Sequence, residues 1–231
     1  MTCLLAIDTS TTTAALAVVA NGVTLAEHSA HVVNGHGAEL VPLIVATLRD
    51  ADVPVRTLNA VAVAVGPGTF TGIRVGMAAA KGLALALGIP LVGISALAAL
   101  AMRGVATEQV IAPLLDARRG EMYAAAYAWS DGALQTLVPE SVATPAVVVQ
   151  QLLALGRPVI CLGDGALRYA EVVAASGDRI VVAADPAWHL PSADGLARLA
   201  LQRLANREQD DVATLAPRYL RASYAEGGGI C

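Results

Sequence analysis

The chain has 231 residues, 56% of them hydrophobic and only 15% charged, which is enough apolar material for one large domain or two smaller ones sharing an interface. A formal charge of −4 provides no general basic field and speaks against a chain that grips nucleic acid by itself. No uninterrupted apolar run approaches the ~20 residues that cross a bilayer, and no basic segment precedes the N-terminal apolar run, which Asp8 cuts short; a cytoplasmic protein without membrane contact is expected.

The first half reads as three strands, then helix, strand, helix. Residues 3–8 and 13–20 are apolar strands, and Asn21-Gly22 is a strong hairpin turn into a third strand over 23–31. A helix over 37–50 carries Leu40, Leu43, Ile44 and Leu48 on one stripe. A short β-rich run over 60–65 ends in Gly66-Pro67-Gly68, and a long helix over 71–87 stops at Gly88-Ile89-Pro90. A strand over 91–94 follows, and Ser95 is placed to cap the next helix.

The second half repeats the order. Residues 110–116, 121–129 and 133–139 read as strands, the last two joined by Asp131-Gly132. Thr144 opens a helix to about 155, 158–162 is a strand, and Gly163-Asp164-Gly165 opens another helix. A strand over 180–183 and a helix over 192–206 complete it. The reading is an α/β protein of two lobes, each strand-strand-strand-helix-strand-helix, with boundaries at 1–105 and 106–222 and a Gly-rich tail over 223–231. Such a duplication is the signature of the actin-like plan, which holds a ligand in the cleft between lobes. Three cysteines, two inside strands (Cys3, Cys161) and one in the tail (Cys231), suggest reduced thiols and no disulfide framework.

Two segments are candidates for chemistry. Asp8-Thr9-Ser10-Thr11 either offers hydroxyls and backbone N–H groups to a phosphate or closes a hairpin as an Asx turn. The loop from Gly66 to Gly76 joins a buried strand to a helix N-terminus, where unpaired N–H groups favour an anion. It lacks the Gly-Lys-Ser/Thr ending of a Walker loop, and it also fits a stiff strand-to-helix turn capped by Thr71. The helix beyond it is apolar on nearly every side, with Arg74 and Lys81 as its narrow polar edge, so it must be covered all round by the chain itself or by a partner.

Five segments together resemble the TsaB family: Leu5-Ala6-Ile7-Asp8-Thr9-Ser10, Gly66-Pro67-Gly68-Thr69-Phe70-Thr71-Gly72-Ile73-Arg74, Ala80-Lys81-Gly82-Leu83-Ala84, Asp116-Ala117-Arg118-Arg119-Gly120-Glu121-Met122-Tyr123 and Pro217-Arg218-Tyr219-Leu220-Arg221. They span nearly the whole chain. The resemblance implies an actin-like fold and a place in the bacterial machinery that makes N6-threonylcarbamoyladenosine at position 37 of tRNA. It further implies a catalytic sister, TsaD, whose metal is held by a His-x-x-x-His helix, and a small ATPase, TsaE. The corresponding helix start here reads His36-Gly37-Ala38-Glu39-Leu40; leucine coordinates nothing, so no metal site and no catalytic residue are expected.

Also implied is pairing through the two early helices, with His36, Leu40, Leu43, Ile44, Thr47, Arg74, Met77, Ala80, Lys81 and Ala84 as the expected interface, and a homodimer through the same patch when TsaD is absent. Asp8, Thr9, Ser10, Gly68 and Thr69 are the candidate nucleotide or phosphate contacts. No cofactor is expected on the chain alone, with ATP or ADP at the interface of the complex and tRNA reached only through it. The alternative is an actin-like ATP-dependent transferase using Asp8 and Asp116 as cleft carboxylates, or a metallopeptidase, acting alone.

Overall fold

A computed structural model of the chain describes residues 2–32, 36–105 and 107–221; the expected tail with Cys231, and the side chain of His36, lie outside them. The first half contains β1 (Cys3–Asp8), β2 (Thr13–Ala20), β3 (Val23–His31), α1 (His36–Asp50), β4 (Ala60–Gly66), α2 (Phe70–Leu87), β5 (Leu91–Ser95) and α3 (Ala96–Ala101). The second contains β6 (Val110–Arg118), β7 (Glu121–Ser130), β8 (Ala133–Ala143), α4 (Pro145–Leu153), β9 (Val159–Leu162), α5 (Asp164–Arg168), α6 (Ala170–Ala174), β10 (Ile180–Val182) and α7 (Ala193–Ala205).

Each half builds one five-stranded sheet. The order is β3-β2-β1-β4-β5 in the first and β8-β7-β6-β9-β10 in the second, which is the same topology twice. In both, the opening three strands pair antiparallel and the later two join in parallel. Asn21-Gly22 and Asp131-Gly132 have positive φ at both residues, the geometry of the tight turns that match strand twist.

Strand alternation decides what covers each face. On the outer face of the first sheet, Leu5, Ile7, Leu16, Val18, Val61 and Val63 meet Leu40, Ile44 and Leu48 of α1 and Met77, Ala80 and Ala84 of α2. On the inner face, Ala6, Ala15, Ala17, Ala60, Ala62 and Ala64 are small, so α3 and α7 come in close. Ile111, Leu115, Ala125 and Tyr127 of the second sheet enter that same cluster, so the two lobes share one continuous inner core. Among the described residues β1–β5 build the first sheet and β6–β10 the second, whereas α7 packs back onto β1, β2 and β5.

The helix ends differ in detail from the sequence expectation. Thr69, not Thr71, is the N-cap residue of α2, and its side chain makes no cap bond; neither does that of Thr144 before α4. Ser95 does cap α3, accepting from Ala98 N at 3.2 Å. The helix expected after Gly163 breaks at Tyr169 into α5 and α6.

Candidate functional site

The turn after β1 folds onto itself. Asp8 Oδ1 accepts from Ser10 N (2.9 Å), and Thr11 Oγ1 accepts from Thr13 N (3.0 Å), so an Asx turn and a Thr turn close the hairpin. The loop from β4 to α2 then seals it: Thr69 N donates to Ser10 O (2.6 Å), and Thr9 Oγ1 donates to Gly72 O (2.7 Å). Gly68 lies so close that a Cβ there would sit 2.2 Å from Ser10 O. The five candidate phosphate contacts are thus brought together, yet Asp8, Thr9 and Ser10 are buried and the loop binds the turn directly.

The second half places its equivalents across the cleft. Asp116, at the end of β6, is nearly buried and paired with Arg118 (3.3 Å) and Arg168 (3.5 Å). Its N–H donates to Asp164 Oδ1 (3.0 Å), and burial pushes the Asp164 carboxyl above its ordinary range, with those backbone N–H bonds opposing the shift. Gly163 is required by contact as well as by φ (+100°): a Cβ would meet Leu114 O at 2.2 Å. His189 is buried, its ring nitrogens 3.0 Å from Gly163 O and 2.8 Å from Ala183 O, so it staples α5 to the end of β10. An interlobe cavity of about 380 Å³ lies between Thr11–Thr13 on one side and Asp164, Leu167 and His189 on the other. Asp164 stood in the sequence as part of a helix start; His189 gave no pattern signal, since its partners are backbone carbonyls.

Cys3 and Cys161, the described cysteines, show no reactive setting. Burial in β9 pushes the Cys161 thiol up to about 12, and the half-buried Cys3 thiol is raised by the same cause. Among the described residues, no three His, Cys, Asp or Glu side chains gather as a metal site would require. Leu40, where a second imidazole would be needed, is turned into the core.

The outer helices require a correction. Leu40, Ile44, Thr47, Met77, Ala80 and Ala84, expected at a partner interface, are buried in the chain's own core, and Leu43 and Lys81 are half-covered. Thr47 is satisfied there by donating to Leu43 O (2.7 Å), with His28 Nδ1 at 3.1 Å. A helix apolar all round gives no signal of which side faces inward. What remains outside is a second stripe: Ala38, Val41 and Val45 on α1, and Ala78, Gly82, Leu85 and Ala86 on α2. Val41 and Val45 are each 60% exposed and Leu85 is 70% exposed. Although α2 has the length and apolarity of a membrane span, its inner side packs on the first sheet.

Two copies of one five-stranded plan, facing each other across a cleft and sharing helices between them, define the duplicated actin-like class. At the level of fold alone, the structure resembles component A of the (R)-2-hydroxyglutaryl-CoA dehydratase of Acidaminococcus fermentans, with a TM-score of 0.57 and 12% identity over 89% of this chain and 100% of that one. A Pseudomonas aeruginosa structure, described as an uncharacterized protein with similarity to peptidase YEAZ, matches with a TM-score of 0.81 and 31% identity over 96% of this chain and 100% of that one.

A family model for TsaD, tRNA N6-adenosine threonylcarbamoyltransferase, matches residues 28–228. The tRNA threonylcarbamoyladenosine biosynthesis protein TsaB of Bacillus subtilis is 34% identical over 98% of this chain and 97% of its own length; that of Escherichia coli is 30% identical over 96% of each. The chain belongs to the TsaB family, within the wider TsaD-like group of actin-like proteins.

Proposed function

We propose that the chain is a non-catalytic subunit in the formation of N6-threonylcarbamoyladenosine at position 37 of tRNA. It docks on a TsaD-type catalytic subunit through the outer faces of α1 and α2, and a TsaE-type ATPase joins the pair. The observation that carries this is the surplus apolar stripe of Val41, Val45 and Leu85, which lies beyond the side chains the first lobe uses for its own core. Covering each of these side chains contributes on the order of 1–2 kcal/mol, so a partner of matching shape gains from the face. In isolation a second copy of the chain uses the same face, and the two assemblies compete.

Catalysis by this chain alone is disfavoured by the condition of the two cleft carboxylates. Asp8 lies beneath the loop from β4, and Asp116 is held by two arginines. The chain carries no metal or nucleotide of its own; ATP or ADP belongs at the interface of the complex. It works in the cytoplasm and meets tRNA only through its partners.

Reconstitution tests the reading. Leaving this chain out of a reaction with TsaD-type and TsaE-type proteins should abolish modified tRNA, and Leu85→Glu should fail to restore it while keeping a native circular dichroism spectrum. Full restoration by Leu85→Glu, or modification by the isolated chain, would overturn it.

A further inference from the structure

The segment after α7 does not leave the molecule. Residues 207–221 return along the first lobe. Asp210 N donates to Leu91 O (2.9 Å), while the Asp210 carboxylate accepts from Gly93 N (2.7 Å) and pairs with Arg203 (2.9 Å). Leu215 fills the notch that Gly93 leaves, and Arg218 N donates to Val65 O (2.7 Å). The strap is therefore seated on β5 by Asp210 and Leu215 and on β4 by the backbone of Arg218, with which its last four residues begin.

Those last residues stitch the lobes together. Arg218 reaches Glu140 of β8 in the second lobe (3.3 Å). Tyr219 turns back to the first lobe, its ring stacked on Phe70 (4.9 Å between centroids) and its hydroxyl accepting from Arg74 Nε (2.8 Å). The Arg74 guanidinium also lies over the Phe70 ring, 3.6 Å from its centroid. Arg221 returns to the second lobe, donating to Ala117 O (2.9 Å) and pairing with Glu121 beside the β6–β7 turn.

At Glu140 the Arg218 tie meets contacts from both lobes. Its Oε1 accepts from Ser95 Oγ of the first lobe and from Tyr127 OH of the second (3.2 Å), while Oε2 faces Arg218. The Glu140 side chain is nearly buried, but the Arg218 side chain is 55% exposed. A pair open to water on one side is weak and exchangeable, which suits a device that releases.

We propose that residues 207–221 act as a releasable latch that fixes the opening between the lobes, with Arg218 and Arg221 as its two arms, the first closing on Glu140 and the second on Glu121 and Ala117 O. Away from the strap the lobes touch through the apolar layer around α3 and α7 and through polar bonds at its far rim, where Thr24 donates to Asp194 and Arg103 donates to Leu190 O (3.2 Å) and Pro191 O (2.9 Å), which leaves the strap side as the side that opens. Because the strap also holds Phe70, the first residue of α2, the latch ties the mouth of the cleft to the helix that carries Leu85.

The test reads interlobe distance in the full chain, which is independent of partner docking. Spin labels at Arg56→Cys and Gln150→Cys, in a Cys3→Ser, Cys231→Ser background diluted with unlabelled chain, report one lobe against the other within a single molecule. One narrow distance is expected with the latch intact. Combined Arg218→Ala and Arg221→Ala should move the mean outward and widen the distribution, and Glu140→Gln should do so by a smaller amount. Lys81→Ala removes a strap contact within the first lobe, to Ala213 O, and should change nothing. An unchanged distribution in the Arg variant overturns the latch. So does equal widening by Lys81→Ala, since that would be general loosening. If the Arg variant does not fold, Glu140→Gln alone decides, and a native distance there is equally fatal.

Discussion

The two halves place the same parts in the same order and use them differently. After β1, the Asp8 turn is sealed by the loop that leads into α2, a helix of 18 residues. After β6, the equivalent carboxylate, Asp116, lies beside Asp164 under two arginines, and α5 has five residues. Topology alone therefore does not fix what a cleft does. In the first half a long apolar helix follows a sealed turn and leaves an exposed apolar outer face, while in the second a short helix follows a site that stays polar. The largest test of that division lies on α2 itself. Ala80 is fully buried and Leu85 is largely exposed, five residues apart. Ala80→Glu should cost more than about 4 kcal/mol by burying an unpaired charge, and the first lobe should not fold. Leu85→Glu should change stability by no more than about 0.5 kcal/mol yet abolish association, read by denaturant melts and sedimentation.

A next-smaller effect compares the two loops directly. Gly68 and Gly163 each have a backbone oxygen 2.2 Å from where a Cβ would be, Ser10 O in one half and Leu114 O in the other. Gly68→Ala and Gly163→Ala should each cost about 2–4 kcal/mol, with Gly163→Ala the worse because its φ is also positive. If Gly68→Ala melts like the native chain, the first loop is not seated as tightly as the sealed turn requires.

Much of this was readable in the sequence. The apolar runs over 3–8 and 13–20, the Asn21-Gly22 turn and the repeated element order led to a duplicated actin-like fold, which the sheet order repeats. The family motifs led to TsaB relatives along nearly the whole chain. Around α1 the stripe of Leu40, Ile44 and Leu48 did mark the buried side, but orientation around α2 was not readable. When Met77, Ala80, Leu83, Ala84, Leu85 and Ala86 are all apolar, no stripe stands out, and six of the residues expected to meet a partner turned out to serve the core. The ties at Glu140 were equally hidden, since Ser95, Tyr127 and Arg218 meet only after both lobes have formed. Side-chain chemistry can be read locally, but convergence from distant segments cannot.

Asp164 sharpens the contrast through pH. Burial raises its carboxyl above the ordinary range, so the protonated form is favoured more in the folded chain than in the unfolded one. The resulting stability is fully present below the ordinary aspartate value of about 4 and is lost as pH rises through the raised value. Asp164→Asn, which is neutral at every pH, should therefore melt higher than the native chain at pH 7, and the gain should shrink as pH falls toward 4. A gain of the same size at both pH values would mean that packing, not charge, sets the environment on the second side of the cleft.

The smallest expected effect concerns the arginines that separate Asp116 from its counterpart. Arg118 and Arg168 are each more than half exposed, so their pairs are screened by water, and either Arg118→Ala or Arg168→Ala should cost less than about 1 kcal/mol. Asp116 itself is nearly buried, and one remaining arginine is enough to hold its charge. Removing both takes away the two guanidinium pairs and keeps the Arg118 backbone N–H, at 2.9 Å, so the double variant should lose more than the sum of the singles in denaturant melts. Simple additivity would mean that water already reaches Asp116, and the polar character of the second site would then owe nothing to its arginines.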